Sequence, residues 1–127
     1  MPEKHVYEYA VIRLVPQVER EEFLNIGIIL FSKNARFIDV LFHLDPEKIT
    51  LFSKTTDLDF IEKNMNAFIQ TAKGGRQGGM IGSEDLPSRF RWLTAARSSI
   101  LQTSKVHSGY TDDLKKTMQR LFEEYVL

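Results

Sequence analysis

The stretch from residue 7 to residue 31 limits the fold more than any other part of the chain. It reads Tyr7-Glu-Tyr-Ala-Val-Ile-Arg13-Leu-Val-Pro16, then a charged turn, then Glu22-Phe-Leu-Asn25-Ile-Gly27-Ile-Ile-Leu-Phe31. Residues 5–15 alternate tyrosines and β-branched residues with no Gly or Pro before Pro16, the pattern of a strand. Tyr7, Tyr9, Val11, Arg13 and Val15 share one face, and Glu8, Ala10, Ile12 and Leu14 the other. Leu24–Phe31 is apolar on both faces, which places it centrally in a sheet. Arg13 is the odd member of an apolar face. It must be paired or reach an edge, because an unpaired buried charge is costly. Glu22 and Asp39 are its candidate internal partners. Gly27, inside the second strand, marks a bulge or a close approach by another group.

The remaining elements follow from local signals. Residues 17–23 are polar and suit one helical turn. A Lys33-Asn34 turn leads to a third strand, Arg36–His43, completing a hairpin. Asp45-Pro46-Glu47 opens a short helix to about Phe52. Thr56-Asp-Leu-Asp59 opens a longer one, with Leu58, Ile61, Met65, Phe68, Ile69 and Ala72 at helical spacing. Residues 73–82 hold five of the seven glycines. They lack Gly-Lys-Ser/Thr and a preceding strand, so a flexible loop fits better than a phosphate cradle. Pro87 opens a helix to Thr94. Ser98–Ser104 reads as a fourth strand, followed by a turn over Lys105–Gly109. Thr111 caps a last helix with Leu114, Met118, Leu121, Phe122 and Tyr125 on its buried stripe. The expected fold is one α+β domain over residues 1–127: an antiparallel sheet of about four strands with helices packed mainly on one face.

Composition narrows the classes. The 127 residues are 43% hydrophobic, enough for a core without staples. Without cysteine, disulfides, thiol nucleophiles and cysteine metal sites are excluded. No apolar run reaches the roughly 18–20 residues of a membrane span, and no signal-peptide pattern opens the sequence. A cytoplasmic protein without membrane contact is expected. Basic and acidic residues balance at 17 each, which disfavours a dedicated nucleic-acid binder. Residues 72–110, however, carry six basic side chains (Lys73, Arg76, Arg89, Arg91, Arg97, Lys105) against Glu84 and Asp85, a solvated surface or an anion-facing patch.

No familiar catalytic pattern is present. His5, His43 and His107 show no ligand spacing, and no Gly-x-Ser-x-Gly elbow frames a serine. Neither a metal nor a cofactor is implied. Phe90 and Trp92, two residues apart, place at least one ring in the core. The polar residues beside the buried strands remain: Arg13, Glu22, Asn25 and Gly27, with Arg97 and His107 from the C-terminal half. Arginine offers a fork for carboxylate or phosphate, and Asn25 with Gly27 suits a tight polar approach.

Tyr9-Ala-Val-Ile-Arg13-Leu-Val-Pro16 followed by Arg20-Glu-Glu22-Phe-Leu-Asn25-Ile-Gly27 resembles the signature of a bacterial family, the domain of unknown function 3037. Leu93-Thr94, Arg97-Ser98-Ser99, Gln102, Ser108-Gly109 and the final helix resemble its C-terminal half. The family has no assigned activity and so supplies no catalytic residues. Some relatives are encoded near persistence-toxin-like protein kinases, and the resemblance thereby implies a partner or regulator role with a kinase-like protein. The favoured expectation is a small non-catalytic module that binds a partner protein through an exposed apolar patch or edge strand. The alternative is a nucleic-acid or phosphorylated-ligand binder or processing enzyme. In it Arg13, Asn25 and Arg97 converge on an anion, Glu22 serves as acid or base, and the positive segment surrounds them.

Overall fold

The computed structural model describes residues 4–53, 57–95 and 99–127. Five strands form one antiparallel sheet: β1 (His5–Leu14), β2 (Leu24–Ser32), β3 (Phe37–Phe42), β4 (Leu101–Thr103) and β5 (His107–Thr111). The order is β3-β2-β1-β4, with β5 also paired to β1. The apolar β2 is flanked on both sides, as its two-sided hydrophobicity requires. The class is α+β; the expected fourth strand, Ser98–Ser104, is present as the shorter β4, and β5 is a fifth strand that begins within the stretch expected as a turn. Ile12 faces Thr103 and Tyr9 faces His107, so three steps along β1 span four on its neighbour. One extra residue therefore sits between β4 and β5, in the manner of a bulge. Ser104 fills the break: its N–H donates to Val11 O at 2.8 Å, and its Oγ accepts from Val11 N–H at 2.9 Å. The side chain thus supplies the acceptor that a regular ladder would take from the main chain. The turn expected over Lys105–Gly109 is confined to Lys105 and Val106, and the strand resumes at His107.

Helices α1 (Pro46–Phe52), α2 (Leu58–Lys73) and α3 (Leu86–Thr94) pack on one face of the sheet. Their core joins Ala10, Ile12 and Leu14 of β1 to Ile49, Ile61, Met65, Phe90 and Leu93. Phe90 stacks on Phe31 with ring centroids 4.9 Å apart, whereas Trp92 is 43% exposed. Helix α4 (Leu114–Tyr125) covers the opposite face, setting Met118 and Leu121 on Tyr7, Val11, Ile28 and Leu30. Caps fix the starts. Asp45 accepts from Glu47 and Lys48 N–H ahead of Pro46, and Asp57 caps α2; Thr56 lies outside the described residues. The α4 cap is Asp113, which accepts from Lys116 N–H at 3.0 Å. Thr111, expected to cap, instead bonds Asp113 N–H and the Thr117 hydroxyl. It braces the turn two residues upstream.

The expected loop over residues 73–82 is present with definite turns, and one expected pairing, Arg13 with Asp39, is corrected. The glycine-rich stretch forms two 3-10 turns, Arg76–Gly78 and Ile81–Ser83, closed by Gly75 N–H on Gly82 O at 2.9 Å. Arg89 lies against Gly74, where a Cβ would come within 2.9 Å of its guanidinium carbon, and donates to Ala72 O and Glu84 O. One charge of the positive segment thus faces the carbonyl end of α2, which favours a cation. Asp39 does not pair with Arg13. It faces Leu30 on β2, whose other neighbour is Tyr9, four residues from Arg13. Its carboxylate accepts from Val40 N–H at 2.8 Å.

Candidate functional site

A register slip assembles the site. Ile12 faces Gly27, but Arg13 faces Asn25, so Ile26 has no opposite number on β1. Before the slip, Ile28 and Leu30 point toward α4 while Ile29 and Phe31 point toward α1–α3. Simple alternation would turn Asn25 toward α1–α3. The bulge reverses this: Ile26 and Leu24 join the larger core, and Asn25 turns to the α4 face, donating from Nδ2 to Tyr125 O at 3.2 Å. Gly27 permits the geometry. A Cβ there would meet Leu41 O at 2.7 Å and Ile12 Cδ1 and Phe42 Cβ at 3.2 Å. Gly27 is therefore a packing residue that shapes the strand, not a residue that lines the site.

Arg13 stands on the same face as Val11, directly across from Asn25. Its guanidinium carbon lies 4.0 Å from the Phe23 ring centroid, a cation–π contact. Glu22 does not reach it; that carboxylate is exposed and paired with Arg20, Oε1 accepting from Nε at 2.6 Å. Arg13 Nε and Asn25 Oδ1 are both buried, and neither has a hydrogen-bond partner among the described residues. Each such buried orphan costs about 1–3 kcal/mol. Finding two on register partners, one a donor and one an acceptor, makes this the polar anomaly of the sheet.

Phe23 packs on Arg13, and further aromatic side chains lie along the same face of β1. Tyr9 lies four residues from Arg13 on the same face, beyond Val11, its ring 5.4 Å from His107, 6.3 Å from Tyr125 and 6.2 Å from Tyr7. Burial, reinforced by a hydrogen bond with the Tyr125 hydroxyl, pushes the Tyr9 phenol up to about 12. It is a fixed neutral group near pH 7. Beside Asn25, a groove of about 140 Å³ is lined by Leu24, His43, Asp45, Lys48 and Leu127.

Of the residues singled out by sequence, Arg13 and Asn25 come together, whereas His107 lies against Tyr9, four residues along β1 from Arg13. Glu22 and Gly27 do not join the pair, and Arg97 lies outside the described residues. Tyr9, Phe23 and Tyr125 were missed. Alternation placed Tyr9 on the Arg13 face, but nothing local reveals that the last helix brings Tyr125 there. Lys73, Arg76 and Arg91 are carried at the end of α2, in the loop after it and on α3, the layer across the sheet from Arg13. Among the described residues, no group of three or more His, Cys, Asp or Glu could hold a metal, and no helix is long and apolar enough to cross a membrane.

No curated protein and no solved structure matches this chain. One family model does, over residues 9–126, taking in the Arg13 and Asn25 strands and the final helix together. The chain accordingly belongs to the family described as Protein of unknown function (DUF3037).

Proposed function

We propose that this chain is a non-catalytic binding module that holds a polypeptide segment of a partner protein at the Arg13–Asn25 pair. The orphaned atoms carry this reading. Arg13 Nε–H can only donate and Asn25 Oδ1 can only accept. Both atoms are buried, so a shared ligand must displace what covers them, the Phe23 ring over Arg13 included, and must offer both an acceptor and a donor, as a main-chain amide does with its C=O and N–H. An ionised phosphate or carboxylate offers acceptors alone and leaves Asn25 Oδ1 unsatisfied. The rings of Tyr9, Phe23 and Tyr125 along this face suit a peptide surface, since aromatic side chains and arginine are enriched at protein interfaces. The kinase-like protein implied by the family resemblance is one source of such a segment.

The anion reading is the runner-up, favoured by one observation: Arg13 has no carboxylate partner among the described residues. NMR separates the two by following the Arg13 Nε–H and Asn25 signals. The probes are a panel of N-acetylated, C-amidated tripeptides and, separately, inorganic phosphate. Peptide-dependent shifts that vanish in Asn25→Leu support the amide reading. Shifts with phosphate alone transfer the site to anions. A buried water bridging the two atoms that no probe displaces would sink both.

A further inference from the structure

The two edges of the sheet are protected differently. On β3, His43 N–H bonds inward to Ile26 O, so alternation turns Val40 N–H outward, where Asp39 Oδ1 accepts it. A charged side chain folded over its own edge is a guard against strand addition. The β5 edge has no such guard. Val11 exchanges its main-chain bonds with Ser104, so the odd-numbered residues of β1 direct N–H and C=O toward this edge strand. Their register partners His107, Gly109 and Thr111 then face inward, leaving Ser108 and Tyr110 to present main-chain groups outward. No Asp, Glu, Lys or Arg occurs from Val106 to Thr111. Tyr110, 74% exposed, lies opposite Val6, 44% exposed, making an open apolar pair on the sheet.

We infer that β5 pairs with β5 of a second copy of this chain, antiparallel about a two-fold axis at Gly109. This register is self-complementary. Ser108 meets the second copy's Tyr110 and the reverse, and each such pair exchanges two main-chain hydrogen bonds. The charges flanking the strand decide for a second copy over an unrelated strand. Lys105 and Asp113 both lie four residues from Gly109, so each copy's Lys105 falls opposite the other's Asp113, with Asp112 adjacent. All three are exposed. The same antiparallel pairing brings the acid to the base twice, as an isologous interface requires. Strands this short bury less than the ~1,200 Å² of a stable complex, so the dimer is weak and concentration-dependent.

Sedimentation equilibrium from about 10 µM to 1 mM tests it, loadings chosen to span weak association. Ser108→Pro deletes an outward N–H and should weaken the dimer by about tenfold or more, with folding checked by circular dichroism. Lys105→Glu, a surface change that leaves the ladder intact, should weaken it by roughly three- to tenfold at low salt, less at high salt. Adding Asp112→Lys to Lys105→Glu should restore association. A wild-type chain that stays monomeric at about 1 mM, or a dimer that neither Ser108→Pro nor Lys105→Glu weakens, overturns the inference.

Discussion

The two faces of β1 differ by one residue in phase and by almost everything in chemistry. Toward α1–α3 it offers Ala10, Ile12 and Leu14, all fully buried in an apolar core. Toward α4 it offers Tyr7, Tyr9, Val11 and Arg13, under one amphipathic helix and beside an asparagine with an unused oxygen. The first face holds the fold together. The second tolerates polar groups whose partners the described residues do not provide, and stability alone does not account for them. The difference is what the proposed binding site rests on: it lies on the face where the chain leaves hydrogen bonds unmade.

The largest test of that division is Ile12→Ala. Removing a fully buried aliphatic side chain from a core of this kind should lower the unfolding free energy by about 3–4 kcal/mol, read from urea denaturation. The Arg13–Asn25 face should remain intact in whatever fraction stays folded. A loss under about 1 kcal/mol would mean the larger core is loosely packed, and the contrast between the faces would fail.

Gly27→Ala follows, because it attacks the slip that joins the faces. The added methyl meets Leu41 O, a main-chain atom that cannot rotate aside. A cost of about 2 kcal/mol is expected. The Asn25 amide signal should also move, since relief of the clash must shift β2 near Ile26. A destabilised variant with an unmoved Asn25 would separate Gly27 from the site's geometry.

Much of this molecule could be read directly from its residues, and the failures share a cause. Strand and helix positions came from periodicity and caps, and the central place of β2 from its two apolar faces. Alternation also put Arg13 with Tyr9 and Val11. What alternation cannot register is an inserted residue. Asn25 changes faces because of Ile26, and β5, where a turn was expected, is set off from β4 by one extra residue near Ser104, whose hydroxyl stands in for a main-chain group. Asp39 looked like a partner for Arg13, yet it serves the sheet edge through its own neighbour's N–H. Each miss concerns a side chain doing backbone work, or a contact brought by an element distant in sequence, as Tyr125 is.

A smaller effect on stability is expected from Arg13→Met. The arginine has no ion pair to lose among the described residues, and its Phe23 contact contributes about 0.5–1 kcal/mol. Removing an orphaned buried donor offsets that loss. The unfolding free energy should stay within about 1 kcal/mol of wild type, while the peptide-dependent shifts at Asn25 disappear. A loss of about 3 kcal/mol or more would reveal a buried charge pair broken by the change, and would reassign Arg13 to the side that holds the fold together.

The finest distinction concerns Tyr9, which lies on the Arg13 face and is tied into it by burial and by Tyr125. Its phenol is raised from the usual 10 to about 12, so the folded chain resists ionisation that the unfolded chain accepts. The resulting stability is fully present below pH 10 and is lost as pH rises from there through 12. Tyr9→Phe cannot ionise at all. The stability difference between wild type and Tyr9→Phe should therefore be constant up to about pH 9 and shift against the wild type between about pH 10 and 12. Chemical denaturation at stepped alkaline pH measures it. A difference that holds constant across that window would show a phenol as solvated as in the unfolded chain, and the Tyr9–Tyr125 contact would cease to count as a fixed wall of the site.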